Sequence, residues 1–181
     1  MYMLDSRHPV PPADHNTVNA FVIVTRAGAF IDFVTEVFEG REATSVRTPD
    51  RDGLLIHAEV IIGGSSILIC DRKPDWPFTP AFLQVYVADS QAALDRAAAL
   101  GASVVTPVSP FYGGYTLARF RDPWHNIWWL YAPEGTEHGT SRSASGSAAS
   151  STTDWHDAEP SRVYTTIVEA MRGLREPETA P

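Results

Sequence analysis

Cysteine is almost missing from this chain: Cys70 stands alone among 181 residues. An internal disulfide and any cysteine-built zinc site are thereby excluded. Positive charge is also scarce, with 14 Lys and Arg against 22 Asp and Glu, for a formal net charge of −8. That balance argues against nucleic acid and against acidic membrane surfaces as partners, and an anionic ligand would need a local basic patch. Lysine occurs once, at Lys73, and the other basic residues are arginines. No apolar run reaches the roughly 18 residues of a membrane-spanning helix. Residues 1–17 are polar and proline-bearing, without an apolar leader core, so a cytoplasmic protein is expected.

What the chain does hold is one pattern written twice. The first half reads as strand, helix and three strands over 18–25, 26–38, 41–48, 54–62 and 65–71. The second half repeats that order over 81–87, 89–100, 102–105, 115–122 and 126–132. Eight strands and two main helices are thus predicted, an α+β fold of paired βαβββ modules. Each unit buries one sheet face under its helix and leaves the other bare. Two units side by side then form a curved mixed sheet around a central trough. Function is expected on the strand residues that face away from the helices. With 44% apolar residues, the chain is long enough for one domain with a real core.

The helical segments carry the matching periodicity. Ala29, Phe30, Phe33, Val34 and Val37 fall on one face of the first, and Ala92, Ala93, Leu94, Ala97, Ala98 and Leu100 give the second a small-residue face. Asp89 or Ser90 can cap the second helix, and Gly101 ends it. Turns are expected at 49–53, 63–64 and 122–126. Residues 1–17 read as an arm and 18–135 as the body. Residues 136–161, rich in Ser, Ala, Gly and Thr, read as a flexible linker. Within the last segment, 162–181, Val163, Ile167, Met171 and Leu174 recur at helical spacing and predict a short amphipathic helix over 162–175. It docks on the body, docks on a neighbouring subunit or stays free.

Several segments resemble the vicinal oxygen chelate superfamily, which includes glyoxalase I, extradiol dioxygenases and bleomycin-resistance proteins. They are Phe21-Val-Ile-Val-Thr-Arg-Ala-Gly-Ala-Phe-Ile-Asp-Phe33, Pro49-Asp-Arg-Asp-Gly-Leu-Leu-Ile-His-Ala-Glu59 and Val85-Tyr-Val-Ala-Asp89, then Ala97-Ala-Ala-Leu-Gly-Ala102, Phe111-Tyr-Gly113 and Arg121-Asp-Pro123 with Trp128. They occur in order over about 18–132. The resemblance implies paired βαβββ modules, usually in homodimers. It leaves the reaction open, because this fold hosts many unrelated activities.

Enzymes of that superfamily commonly hold a divalent metal through His and Glu side chains, one from each of four strands. The resemblance places those positions at Asn19, Glu59, Phe82 and Trp129. Only Glu59 is a suitable donor, with His57 two residues away on the same strand face. A catalytic site needs about three protein ligands, so no metal and no cofactor is expected there. His8, His15 and His125 stand at no metal-ligand spacing, and His125 reads as a turn residue.

Strand alternation then assigns the trough. It carries Phe21, Phe82, Tyr86 and Trp129 as aromatic walls, with His57, Glu59, Gln84 and Arg119 as polar anchors. These eight are the candidate ligand-binding residues. The plainer reading makes the aromatics core filler and pairs His57 or Glu59 with Arg119 as a structural ion pair. Cys70 has no nucleophile context. The expected function is a metal-free small-molecule-binding protein that sequesters an antibiotic or another aromatic ligand. The alternative is a lyase, isomerase or dioxygenase-like enzyme using Glu59 or His57 as base. A third reading is a scaffold whose trough is plugged by its own side chains. The expected partners are a small organic molecule and a second copy of the chain.

Overall fold

Two copies of one supersecondary unit organise the computed structural model of the chain, which describes residues 11–12, 15–134 and 161–178. In the first unit, β1 (Ala20–Val24) leads into α1 (Ala27–Phe38). Then come β2 (Arg41–Glu42), β3 (Thr48–Pro49), β4 (Leu55–Ile62) and β5 (Ser65–Asp71). The second unit runs β6 (Phe82–Tyr86), α2 (Ser90–Ala99), β7 (Ser103–Phe111), β8 (Tyr115–Arg121) and β9 (Ile127–Pro133). A last helix, α3, spans Arg162–Arg172. The expected linker at 136–161 and most of the arm at 1–17 lie outside the described residues.

Each unit makes its own mixed sheet. In the first, β1 lies parallel to β5, β5 antiparallel to β4, and β2 and β3 both pair with β4. In the second the order is β6-β9-β8-β7, with β6 parallel to β9 and the other pairs antiparallel. The α+β class and the duplicated βαβββ order follow the sequence reading. Two strands differ. The segment read as one strand over 41–48 is two short pairs separated by a 3-10 turn at Thr44–Val46. The strand read over 102–105 continues to Phe111, through Pro107 and Pro110. Proline cannot donate to a ladder, but β7 is the edge strand, and two register shifts absorb the misfit.

The helix starts show how distant residues fix the units. Arg26, at φ 54°, precedes α1 without capping it through its side chain. The cap comes from the end of β5: Asp71 Oδ1 accepts the Ala27 N–H at 2.7 Å, and Oδ2 accepts the Leu55 N–H at 2.8 Å. One carboxylate thus ties α1, β4 and β5 together. In α2 the cap is local, with Asp89 Oδ1 accepting from Gln91 N and Ala92 N.

Both sheets share one core, and α1 lies at its centre. Its apolar face packs on Val22, Val60 and Ile69 of its own sheet. Its phenylalanines also reach the second unit: Phe38 is 4.8 Å from Trp128, Phe33 is 6.2 Å from Phe120, and Phe30 is 5.2 Å from Trp124 in the β8–β9 turn. Trp128 and Phe120 are therefore the helix-facing residues of β9 and β8. The bare faces of both sheets look away from α1.

Candidate functional site

On the first sheet the bare face carries Phe21, His57 and Glu59. Phe21 pairs with Leu68 and Leu68 with Glu59, so the face runs across β1, β5 and β4. Glu59 is 8% exposed and lies between two imidazoles. His57 Nε2 is 2.9 Å from its Oε1, and His15 Nε2 is 3.2 Å from its Oε2. His57 reaches the carboxylate because residues two apart on a strand share a face. His15 reaches it because the arm folds back to the sheet, where Asn16 Nδ2 donates to Ser65 Oγ at 2.9 Å. The sequence separation of His15 and Glu59 hid this contact. A carboxylate between two imidazoles is an arrangement able to hold or move a proton.

On the second sheet, alternation with Trp128 and Phe120 turns Trp129, Tyr131 and Arg119 to the bare face. Phe82, Gln84 and Tyr86 of β6 stand beside Ile127, Trp129 and Tyr131 of β9. Phe82 and Tyr86 are open to solvent, at 46% and 67% exposure. Aromatic rings gather at one end of this face: Tyr86 is 5.7 Å from Tyr131 and 6.0 Å from Tyr115, and Phe111 is 5.6 Å from Tyr131. Burial raises the Tyr131 phenol above its ordinary pKa, with the Arg119 charge opposing. Phe111 was not among the candidates read from sequence because the strand over 102–105 was not carried that far, and Tyr115 was passed over although it shares the Arg119 face of the strand read over 115–122. Tyr131 was on the right face, two residues from Trp129.

Arg119 sits beneath α3 and is 3% exposed. Its guanidinium carbon lies 3.8 Å over the Trp129 ring. Nη1 donates to Thr106 Oγ1 at 3.2 Å and to the Val163 carbonyl of α3 at 2.7 Å. The Thr106 and Thr166 hydroxyls meet at 2.7 Å. Burial lowers the guanidinium pKa from its ordinary value. Beyond α3 the chain turns along the β8–β9 corner, where His125 Nδ1 meets the Arg175 carbonyl and Glu176 pairs with Arg72. The amphipathic helix read from sequence thus docks on the body, over the bare face of the second sheet.

The eight candidates form two sets. His57 and Glu59 touch each other; Arg119 and Trp129 touch each other. Gln84 and Tyr86 line a cleft of about 410 Å³ between β6, the start of β1 and the β4–β5 hairpin, with Asn16, Asn19 and Ser65. Among the described residues no hydrogen bond, ion pair or ring contact joins the first-sheet set to the second-sheet set. The ion pair considered between Arg119 and His57 or Glu59 is not formed, because these residues lie on different sheets and Glu59 is engaged by two histidines.

Two further buried groups lie outside the candidate set, Asp122 at the β8–β9 corner and Cys70 on β5 of the first sheet. Asp122 accepts from Trp124 N, Asn126 N, Asn126 Nδ2 and Trp128 Nε1, all within 2.9 Å. Burial pushes its carboxyl up to about 6, against those four hydrogen bonds. Cys70 is buried, and burial pushes its thiol up, helped by the neighbouring Asp71 charge.

The four positions where a family metal would bind do not fit one. Phe82 and Trp129 offer no donor. Asn19 is turned to the arm, its Nδ2 donating to the Asn16 carbonyl and its Oδ1 accepting the Asn16 N–H. Glu59, His57 and His15 meet through carboxylate–imidazole contacts, and among the described residues no group of three His, Cys, Asp or Glu side chains is arranged so that it could hold a metal ion. No described helix is long and apolar enough to cross a membrane.

Comparison with known proteins adds three findings. The sequence model of the Glyoxalase/Bleomycin resistance protein/Dioxygenase superfamily matches residues 14–130. Uncharacterized proteins of Mycobacterium bovis and Mycobacterium tuberculosis are each 30% identical over 123 residues, 62% of this chain and 80% and 71% of theirs. Among solved structures, TioX from Micromonospora is similar with a TM-score of 0.52 at 22% identity, covering 68% of this chain and 98% of that one. The fosfomycin resistance protein FosX of Listeria monocytogenes is similar with a TM-score of 0.52 at 18% identity, covering 64% and 91%. At these identities the structural likenesses speak for the fold.

Proposed function

The chain belongs to the Glyoxalase/Bleomycin resistance protein/Dioxygenase superfamily, and from that membership we propose that it is a metal-free protein that binds and sequesters a small aromatic molecule. The observation that carries this reading is the partly exposed ring cluster of Tyr86, Tyr115, Tyr131 and Phe111, which continues into Trp129 on one sheet face. Aromatic walls with a few polar anchors suit a flat organic ligand. The donor chemistry at Asn19, Phe82 and Trp129 supports binding without a metal. The half-exposed Phe21 and Phe82, on outward-looking faces, support a homodimer in which the first sheet of one copy meets the second sheet of the other. In that dimer His57 and Glu59 would complete a trough with Tyr86 and Trp129 of the other copy.

A thermal-shift screen of aromatic compounds, followed by calorimetry on the strongest, tests the reading. Trp129→Ala should weaken binding by about 1–3 kcal/mol, and Trp155→Ala, outside the described residues, should leave it unchanged. Equal affinities for both variants and the wild type would place the ligand elsewhere.

A second reading is favoured by Glu59 between His57 and His15: an enzyme of the lyase, isomerase or dioxygenase-like kind with Glu59 or His57 as base. Turnover of a bound compound that is lost in Glu59→Gln, with affinity kept, would support it over sequestration.

A further inference from the structure

A buried guanidinium with no carboxylate beside it is an uncompensated charge, and burying a charge is costly unless it is paired. Arg119 is in that condition. Among the described residues its partners are the Thr106 hydroxyl, the Val163 carbonyl and the Trp129 ring, all neutral. Among the described residues neither its Nε–H nor the Nε1–H of Trp129 finds an acceptor, and both nitrogens are buried. Buried donors without acceptors are rare. Two spare donors and an unpaired cation on one patch match what a carboxylate accepts. Arg121, two residues along the same face of β8, adds positive charge in a chain whose net charge of −8 would otherwise repel an anion.

The cover over this patch is lightly held. No residue of α3 is fully buried, and Tyr164 and Met171 are exposed. Its hold on the sheet at this point is polar: the Val163 carbonyl on Arg119 and the Thr166 hydroxyl on Thr106. The carbonyl gives Nη1 a neutral acceptor where a carboxylate would give a charged and stronger one.

We propose that the Arg119–Trp129 patch binds the carboxylate of an aromatic organic acid, and that α3 covers the patch as a displaceable stand-in when no acid is bound. This rests on the reading that the ligand lies on the bare face of the second sheet, and it adds the ligand's charge and its competitor.

The probes are 2-naphthoate and its neutral analogue 2-naphthalenemethanol, titrated by calorimetry into the full-length protein. The wild type should prefer 2-naphthoate by about tenfold or more, the size of one charge-assisted contact. Arg119→Met, which removes a buried unpaired charge and should still fold, should bind both probes equally. Ile167→Gly, which weakens both α3 and its docking without adding charge, should tighten 2-naphthoate. Amide hydrogen exchange should show residues 162–172 losing protection when 2-naphthoate binds the wild type. Equal binding of the two probes to the wild type, with Trp129→Ala weakening both, would overturn the anion site and leave the aromatic site standing. Binding of neither probe to the wild type or to Ile167→Gly would overturn both. Protection of 162–172 that holds or rises on binding would overturn the displacement.

Discussion

Asp122 shows how one residue can hold a turn at a cost that depends on pH. Its carboxyl satisfies four donors around the β8–β9 corner, yet burial raises it to about 6 from an ordinary 3.8. Below the lower value both folded and unfolded states carry the proton, and the favourable contribution is complete. As pH rises toward about 6 the unfolded chain releases its proton first, so stability falls across that window and levels off above it. Urea denaturation from about pH 4 to about pH 7 should show this fall in the wild type, and Asp122→Asn should flatten it. Cys70 makes a second prediction at this scale. A buried thiol with a raised pKa has little thiolate, so the folded protein should react with iodoacetamide far more slowly than the urea-unfolded chain. Equal rates would contradict the placement of Cys70.

Among the elements, α1 and α3 make opposite contributions. α1 is clamped at its start by Asp71 and along its face by aromatic rings from the other sheet. Asp71→Ala leaves two N–H groups unmet and should cost about 1–3 kcal/mol. Phe30→Ala opens the shared core and should cost about 3–5 kcal/mol. Both are read from urea midpoints. α1 was legible in the sequence because Phe30, Phe33, Val34 and Val37 recur with helical period. Its cap was not, because Arg26 holds that position and Asp71 arrives from 45 residues later. The end of β7 was obscured by Pro107 and Pro110, which an edge strand tolerates. The spacing of Val163, Ile167 and Met171 disclosed a helix at α3, and its seat over Arg119 depends on backbone and hydroxyl contacts that leave no pattern in sequence.

For the whole molecule, the duplicated βαβββ order was legible because each half carries its own alternation and its own helical stripe. The meeting of the candidate residues was less legible. Alternation tells which side of a strand a residue takes, but not how two sheets are turned about α1. Phe21, His57 and Glu59 therefore share one face, and Phe82, Tyr86, Arg119 and Trp129 another. A dimer would bring the two faces together, so light scattering at micromolar concentration should give twice the 19.8 kDa chain mass. A monomer mass would leave the trough open. An aromatic site on the second sheet that works without metal would be visible in the indole N–H signals of nitrogen-15-labelled protein stripped of metal with chelator. Trp129 is assigned by its loss in Trp129→Phe. On titration with 2-naphthalenemethanol, the Trp129 signal should shift saturably while that of Trp128, buried under α1, moves little. A Trp129 signal that stays fixed, or that moves only after a divalent metal is restored, would rule out a metal-free site on this face.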